Sequence, residues 1–308
     1  MYLPSIIPIV LAILATPASP LSIPNLGLTS FPASSFFNND QTQSIIASLK
    51  QNIRSSAFTT SFGSGNVQGT KDPLNSAPGS SSVLKVHYPK GSVNPQNTPV
   101  GGVGFYLPFP ESRVKSLGSI DEATLSYSIL FPKDFDFVKG GKLPGFYGGD
   151  QHCSGGSKSQ ECFSMRMMWR GSGKGEAYAY VPQEAVKQDH SLCSGKGNYC
   201  NPDYGTSIQR GAFSFPTDTW TNVAMTVKLN SNSSTCDGSV DVSINEKRAI
   251  HFPKLCYRGN QNIPISGVMF DTFFGGSSDA YRSTKDTDIY FKNITISAGN
   301  LPSLKLFN

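Results

Sequence analysis

The chain has 308 residues, and 15% of them are charged, against roughly 25% in an average soluble protein. With 30 glycines, 21 prolines and 20 phenylalanines, this composition excludes a coiled coil, a long-helix bundle and a highly charged disordered chain. It is typical of a β-rich protein with many turns. The net charge of +5 favours an anionic partner without identifying it.

The N-terminus has the pattern of a secretory signal peptide. Residues 5–15 are apolar and uncharged, and small residues that suit a cleavage after Ala18 follow them. The apolar run is shorter than the ~20 residues of a membrane-spanning helix. We therefore expect residues 1–18 to be removed, and the mature protein to be secreted and not bound to a membrane.

Residues 19–80 differ in composition from the rest and are rich in Ser, Thr, Asn, Gly and Pro. A short helix is predicted over 40–54, where Asp40 can cap a segment whose apolar residues share one helical face. The stretch 55–82 is typical of a linker or long loop. We predict a short helical or irregular extension before a folded domain over residues 81–308.

From about residue 82, short runs of alternating apolar and polar residues recur between turn-forming clusters. No long segment has helical periodicity. The pattern predicts an all-β fold, a jelly-roll sandwich of two antiparallel sheets with Trp169 and Trp220 in the core. The predicted strands are 81–88, 101–109, 123–131, 162–170, 176–182, 220–230, 238–245, 265–274 and 288–297.

The six cysteines are an even number, as expected for disulfides in an oxidising compartment. Several connectivities are open, and proximity in sequence favours Cys153–Cys162, Cys193–Cys200 and Cys236–Cys256. No CxxC motif is present, so no metal site is expected. Asn232 and Asn293 each begin a sequon for N-glycosylation.

The hairpin predicted over residues 162–182 is the most informative segment. Both of its apolar faces need the same core, so its two polar faces lie on one side of the sheet. A turn centred on Ser172 sets Arg166 opposite Tyr178 and Ser164 opposite Tyr180. A register shifted by two residues sets Arg166 opposite Tyr180 instead. The polar-face residues are Ser164, Arg166, Met168, Arg170, Glu176, Tyr178 and Tyr180.

An arginine beside phenol groups suits proton removal next to a carboxylate. The guanidinium group binds carboxylates as a fork, and a nearby cation lowers the pKa of a phenol, which then exchanges protons. The alternative is an ordinary solvated or cation–π-stacked surface. Lys142, in the glycine-rich segment 139–150 that we interpret as tightly turned, adds a second candidate cation.

Four blocks resemble polysaccharide lyase family 14, in particular its fungal-type members: VLKVHYPKGS, GGKLPGFYGG, CFSMRMMWRGSGKGEAYAYVP and MFDTFFGGSSDAYRSTKDTDIYFKN. The resemblance runs from about Val83 to Ile296. It implies a β-jelly-roll enzyme that cleaves uronate-containing polysaccharide, such as alginate or glucuronan, by β-elimination without a metal or cofactor. The family's catalytic Lys, Ser-x-Arg and Tyr-x-Tyr match Lys142, Ser164, Arg166, Tyr178 and Tyr180.

The resemblance also implies roles for these residues. Arg166, with Lys142 and Ser164, holds the substrate carboxylate and stabilises an enolate-like intermediate. Tyr178 or Lys142 removes the proton on carbon 5, and the phenol of Tyr178 or Tyr180 protonates the leaving oxygen. Further candidates for substrate contact are Asp150, His152, Glu176, Gln209 and Arg210.

We expect an acidic polysaccharide as substrate, no nucleic-acid partner, and a monomer. A non-catalytic carbohydrate-binding module is the alternative function. A glycoside hydrolase is less favoured because no facing pair of carboxylates is evident in the sequence.

Overall fold

Two antiparallel β-sheets pack face to face in the computed structural model, which describes residues 59–75, 82–109, 119–149, 153–154, 161–183, 187–201, 203–298 and 304–305. Sheet A has the strand order β1 (Thr59–Phe62), β4 (Val103–Pro108), β13 (Ile265–Phe274), β6 (Gly140–Gly149), β7 (Cys162–Arg170), β8 (Lys174–Tyr180), β9 (Thr206–Ser214).

Sheet B packs against sheet A. Its order is β12 (Lys247–Leu255), β11 (Gly238–Ile244), β10 (Thr221–Lys228), β5 (Glu122–Leu130), β14 (Thr287–Ala298), β3 (Ser82–Tyr88), β2 (Val67–Lys71), and the short β15 (Leu304–Lys305) pairs with β14. A single α-helical turn, α1 (Ser191–Ser194), precedes β9 in the described chain. The predicted all-β sandwich is confirmed.

The core lies between the sheets and follows the period of two that strands impose. In β10, Val223, Met225 and Val227 are buried, while Ala224 and Thr226 between them are partly exposed. Trp169 of β7 reaches the same core from sheet A, as predicted. Burial of such apolar surface on both inner faces is the main force that holds the two sheets together.

Trp220 is not a core residue, which corrects the sequence prediction. It is only partly buried. Its indole nitrogen donates a hydrogen bond to Asp72 (3.1 Å), and the Lys292 ammonium lies 4.1 Å from the centroid of its ring. An indole N–H needs a polar partner, which places this side chain beside an ion pair instead of among apolar groups.

The linker interpretation of residues 55–82 is wrong for β1 and β2. β1 pairs with β4 at one edge of sheet A, and β2 pairs with β3 at one edge of sheet B. These strands are short and rich in Ser, Thr and Gly, and in β2 only Val67 is buried, so they lack the alternation that marks a strand. The predicted helix over 40–54 and the signal segment lie outside the described residues.

Three disulfides have the predicted connectivity: Cys153–Cys162, Cys193–Cys200 and Cys236–Cys256. Each joins cysteines that are close in sequence, so each closes a short loop and none connects segments that are far apart in the chain. In the part of the chain that the structure describes, no helix has the length and apolar character needed to cross a membrane.

Candidate active site

The β7–β8 hairpin has the register that a turn centred on Ser172 predicts. Arg166 pairs with Tyr178, and Ser164 pairs with Tyr180. Ser172 occupies the left-handed region (φ 60°), which completes the tight connection. The apolar side chains of both strands enter the core, and the polar side chains lie together on the outer face of sheet A. The register shifted by two residues is excluded.

The glycine-rich segment before the hairpin is a central strand, which corrects the prediction of a tight turn. β6 lies between β13 and β7. A Cβ atom at Gly145 would lie 2.0 Å from the Met165 carbonyl oxygen, and one at Gly141 would lie 2.1 Å from the Trp169 ring. The glycines are therefore needed because neighbouring groups approach the strand closely.

A β-bulge in β6 sets the position of Lys142. Lys142 pairs with Met168 and Gly145 pairs with Arg166, so Leu143 and Pro144 together face one residue of β7. Proline is tolerated at such a point because a bulge lacks a regular ladder hydrogen bond. Leu143 enters the core, and Lys142 joins the outer face beside the hairpin residues.

The Lys142 ammonium group is enclosed by the side chains of the hairpin. Its Nζ donates a hydrogen bond to the Met168 sulfur (2.9 Å) and lies 3.7 Å from the centroid of the Tyr178 ring. Burial lowers the pKa of Lys142 well below its ordinary value, and the charges of Arg166 and Arg170 lower it further. A lysine in this environment can act as a neutral amine and accept a proton.

Arg166 is fully buried and is held by an acid that the sequence analysis missed. Its Nη1 donates to Oδ2 of Asp271 on β13 (3.2 Å), and its guanidinium carbon lies 5.6 Å from the centroid of the Tyr180 ring. Burial raises the pKa of Asp271 to about 6, against the opposing attraction of Arg166 and Lys142. A lone acid within the apolar run of β13 was the available signal for this residue.

Three buried polar atoms of this face have no hydrogen-bond partner in the described part of the chain. They are Oγ of Ser164, Nε of Arg166 and Oδ1 of Asp271. An unsatisfied buried polar atom costs about 1–3 kcal/mol, and native proteins keep few of them. Two hydrogen-bond donors left unpaired on one face are suited to binding an anionic oxygen.

Tyr178 and Tyr180 lie edge to face, with their ring centroids 5.7 Å apart. The Tyr178 hydroxyl accepts a hydrogen bond from the Gly205 backbone N–H (3.1 Å). Burial raises the pKa of Tyr178, and Arg170 and Arg166 offset this only in part. The expectation that neighbouring cations would lower the pKa of this phenol is wrong, because desolvation outweighs them. Tyr178 therefore keeps its proton near neutral pH and can donate it.

Glu176 is buried, and both of its carboxylate oxygens are occupied by neighbouring side chains. Oε1 accepts hydrogen bonds from Arg170 Nε (2.9 Å) and Ser207 Oγ (3.1 Å). Oε2 accepts one from Arg210 Nε (2.6 Å). These contacts fit a residue that positions two arginines, and they leave little capacity for direct contact with a ligand.

Of the other predicted contact residues, Gln209 and Arg210 lie on β9, the edge strand of sheet A. Gln209 has a side chain that hydrogen-bonds the backbone of His251 on β12 (2.8 Å), at the side where sheet A meets sheet B. Arg210 is partly exposed. Asp150 and His152 lie outside the described residues. Within the described chain, no group of three or more His, Cys, Asp or Glu side chains is arranged to hold a metal ion.

Comparison with known proteins identifies the family. A family model for polysaccharide lyase 14 matches residues 76–294, which is more than half of the chain. The chain belongs to polysaccharide lyase family 14. It is a polysaccharide lyase, as the resemblance of its sequence blocks implied.

Solved structures resemble this lyase over most of its length. The marine PL-14 alginate lyase from Aplysia kurodai is 30% identical, with a TM-score of 0.71 over 88% of this chain and 98% of its own. The alginate lyase vAL-1 from Chlorella virus is 25% identical, with a TM-score of 0.61 over 77% and 95%. The alginate lyase Aly36B, 19% identical with a TM-score of 0.57 over 82% and 89%, shares the fold. A search of curated proteins found no match.

Proposed function

We propose that this lyase is secreted and cleaves a uronate-containing polysaccharide, of the alginate or glucuronan type, by β-elimination. The observation that carries the proposal is the outer face of sheet A, where a buried arginine with an unpaired Nε lies beside a lysine and two phenols. The alginate lyase from Aplysia kurodai supports the substrate class. The three disulfides support an oxidising compartment.

The carboxylate of the sugar binds at Arg166 in the proposed mechanism. Asp271 holds the Nη1 side of the guanidinium group, which leaves the Nε edge and the Ser164 hydroxyl without a partner among the described residues. Both atoms are buried, so the side chains that cover them must move aside before they donate hydrogen bonds to the substrate. Neutralising the carboxylate acidifies the proton on carbon 5, because negative charge delocalises onto the carboxylate oxygens as that proton leaves.

Lys142 is the proposed base and Tyr178 the proposed acid. Lys142 takes the proton from carbon 5 with the lone pair of its neutral amine, the bond between carbon 4 and the glycosidic oxygen breaks, and a double bond forms between carbons 4 and 5. Tyr178 donates its phenolic proton to the leaving oxygen, and exchange with water restores both groups. The opposite pKa shifts of the two residues support this division of roles.

The test of the proposed function is ultraviolet absorbance during incubation with polyglucuronate, alginate and mixed polyuronates, since only elimination creates a conjugated double bond. We expect the wild-type chain to produce absorbance with at least one polymer. Arg166→Ala is expected to abolish it, because the carboxylate loses its main partner. Arg248→Ala, on the exposed edge of sheet B, is the matched control and should retain full activity. Activity in Arg166→Ala would contradict the assignment.

Tyr178→Phe tests the acid separately, since it keeps the ring over Lys142 and removes only the hydroxyl. We expect kcat to fall about 100-fold or more while KM changes little, as for the loss of a general acid. The steady-state rates of the wild-type and variant chains on the best polymer provide the measurement. An unchanged kcat would assign proton donation to another group, Tyr180 first.

A further inference from the structure

A second group of polar and aromatic side chains lies at the β9 edge of sheet A, next to the proposed catalytic residues. The β8–β9 ladder is interrupted there, because Ile208 pairs with Ala177 and Phe213 pairs with Gly175. Residues 209–212 therefore form a large bulge opposite a single residue of β8. Bulges of this kind redirect a side chain, and this one directs Arg210 onto the outer face, where it reaches Glu176.

The loop before β9 is fixed against this bulge. Tyr199 and Ser207 exchange backbone hydrogen bonds (3.0 and 2.9 Å), and the Arg210 N–H donates to the Gly197 carbonyl (2.7 Å). The Cys193–Cys200 disulfide closes the loop covalently. A loop held at these points loses little further entropy when a ligand binds, so its exposed side chains are pre-organised.

Tyr199 presents an aromatic ring to solvent, with an arginine against it. The residue is 54% exposed, and the Arg210 guanidinium carbon lies 4.6 Å from the centroid of its ring. An amphipathic ring that a fixed loop holds in solvent is suited to packing against a ligand with an apolar face, such as a sugar. The neighbouring guanidinium group adds recognition of a carboxylate.

The charges around Arg210 favour an anion. Glu176 is a single carboxylate between two arginines, Arg170 and Arg210, so the three side chains together carry a positive charge. The Arg210 side chain is 33% exposed, and among the described residues its Nη1 has no hydrogen-bond acceptor. Arg210 can therefore keep its bond to Glu176 while it donates to a ligand from solvent.

We propose that Arg210 and Tyr199 form an accessory subsite that binds a second uronate residue of the polymer while the first is held at Arg166. The inference rests on the proposed function, since it requires a polyuronate substrate. β7 and β9 are two strand spacings apart, roughly 10 Å. Arg166 is tied to Asp271 on β13 and Arg210 to Glu176 on β8, and these two strands are three strand spacings apart, roughly 14 Å. One carboxylate does not reach both guanidinium groups, so the two sites take different sugar residues.

The kinetic test compares Tyr199→Ala with Tyr204→Ala. Tyr204 precedes the same strand and is 45% exposed, but in the described chain no guanidinium group lies over its ring. We expect Tyr199→Ala to raise KM for the polymer about three- to tenfold, the effect of losing one stacking contact. The increase should vanish for the shortest oligosaccharide that is cleaved, because it does not reach the subsite. Tyr204→Ala should match the wild-type chain, and equal KM values for all three chains would overturn the inference.

Arg210→Gln supplies an independent variant. The increase in KM that it causes should shrink as salt is added, since added ions screen the attraction that it removes. The increase caused by Tyr199→Ala should depend little on salt. A salt-independent effect of Arg210→Gln would assign that residue to the support of Glu176 alone and would remove it from the subsite.

A binding measurement separates failure of the subsite from failure of the proposed function. Titration calorimetry with polyglucuronate and alginate is carried out on Tyr178→Phe, with and without Tyr199→Ala. Normal cleavage by the wild-type chain with equal binding by both variants would refute the subsite and leave the lyase assignment intact. The opposite outcome is a wild-type chain that cleaves no polyuronate, together with weaker binding when Tyr199 is lost. That outcome would refute the proposed function and leave a uronate-binding surface.

Discussion

The Asp271 carboxyl lies beside Arg166 on the outer face of sheet A, where burial raises its pKa to about 6. An unfolded aspartate has a pKa near 3.9. Between about pH 4 and 6 the folded chain therefore keeps a proton that the unfolded chain has lost, and the contribution of Asp271 to stability falls as pH rises through that window. The charge of Arg166 reduces this loss without removing it.

Asp271→Asn is expected to remove this dependence. The free energy of unfolding of the wild-type chain, measured relative to that of the variant, should fall by roughly 2–3 kcal/mol between pH 4 and 6, since one pKa unit corresponds to about 1.4 kcal/mol. Urea unfolding of both chains at several pH values in this range gives the difference directly. Parallel curves would show that Asp271 titrates in the folded chain as it does in the unfolded one.

The residues of the candidate site were predictable where they obey simple alternation. Arg166 and Tyr178 could be placed opposite each other because a core on one side of the hairpin forbids a shift by one residue. Asp271 was missed although it lies in a strand that the sequence predicts. Its partner Arg166 is distant in sequence, and the strand pairing that brings the two residues together runs through irregular parts of β6 and β13. The pKa of Tyr178 was also missed, since alternation gives contacts but not the extent of desolvation.

At the scale of elements, nine strands with alternating apolar residues were predicted, whereas β6 and β9 were not. β7, β10 and β13 fall close to their predicted limits. β6 was read as a turn because glycines are common in turns, whereas here they allow close approach of neighbouring groups. β9 was missed because its bulge breaks the period of two. β6 and β9 both carry residues of the proposed substrate-binding face.

Gly145→Ala tests the importance of close approach at β6. The added Cβ atom would lie 2.0 Å from the Met165 oxygen and 2.5 Å from the Arg166 Cα atom, so the backbone must move. We expect a loss of stability of roughly 1–3 kcal/mol or more and a larger loss of activity, because β6 carries Lys142 to the hairpin. Thermal unfolding and absorbance assays measure the two effects.

Gly65→Ala is the matched control for that substitution. Gly65 lies between β1 and β2, and a Cβ atom there has no heavy atom within 4 Å. Stability and activity should both stay close to wild type. Equal behaviour of the two alanine variants would show that the β6–β7 pair tolerates a wider separation than its glycine implies.

At the scale of the whole molecule, the two segments β1 and β2 occupy corresponding positions in different sheets. One forms the outer strand beside β4, and the other forms the outer strand beside β3. The intervening chain is short, with only a single 3-10 turn between them. A stretch with the composition of a linker thus covers one margin of each sheet, and it lies upstream of the region that the family model matches.

Trimming the protein to the family-matched region would therefore expose two rows of unsatisfied peptide groups. Uncovered strand margins of this kind recruit strands from other molecules. A chain beginning at residue 76 is expected to self-associate in light scattering, whereas one beginning at residue 56, which keeps both strands, should remain dispersed. If both truncated chains stayed monodisperse, β1 and β2 would not be needed to prevent self-association.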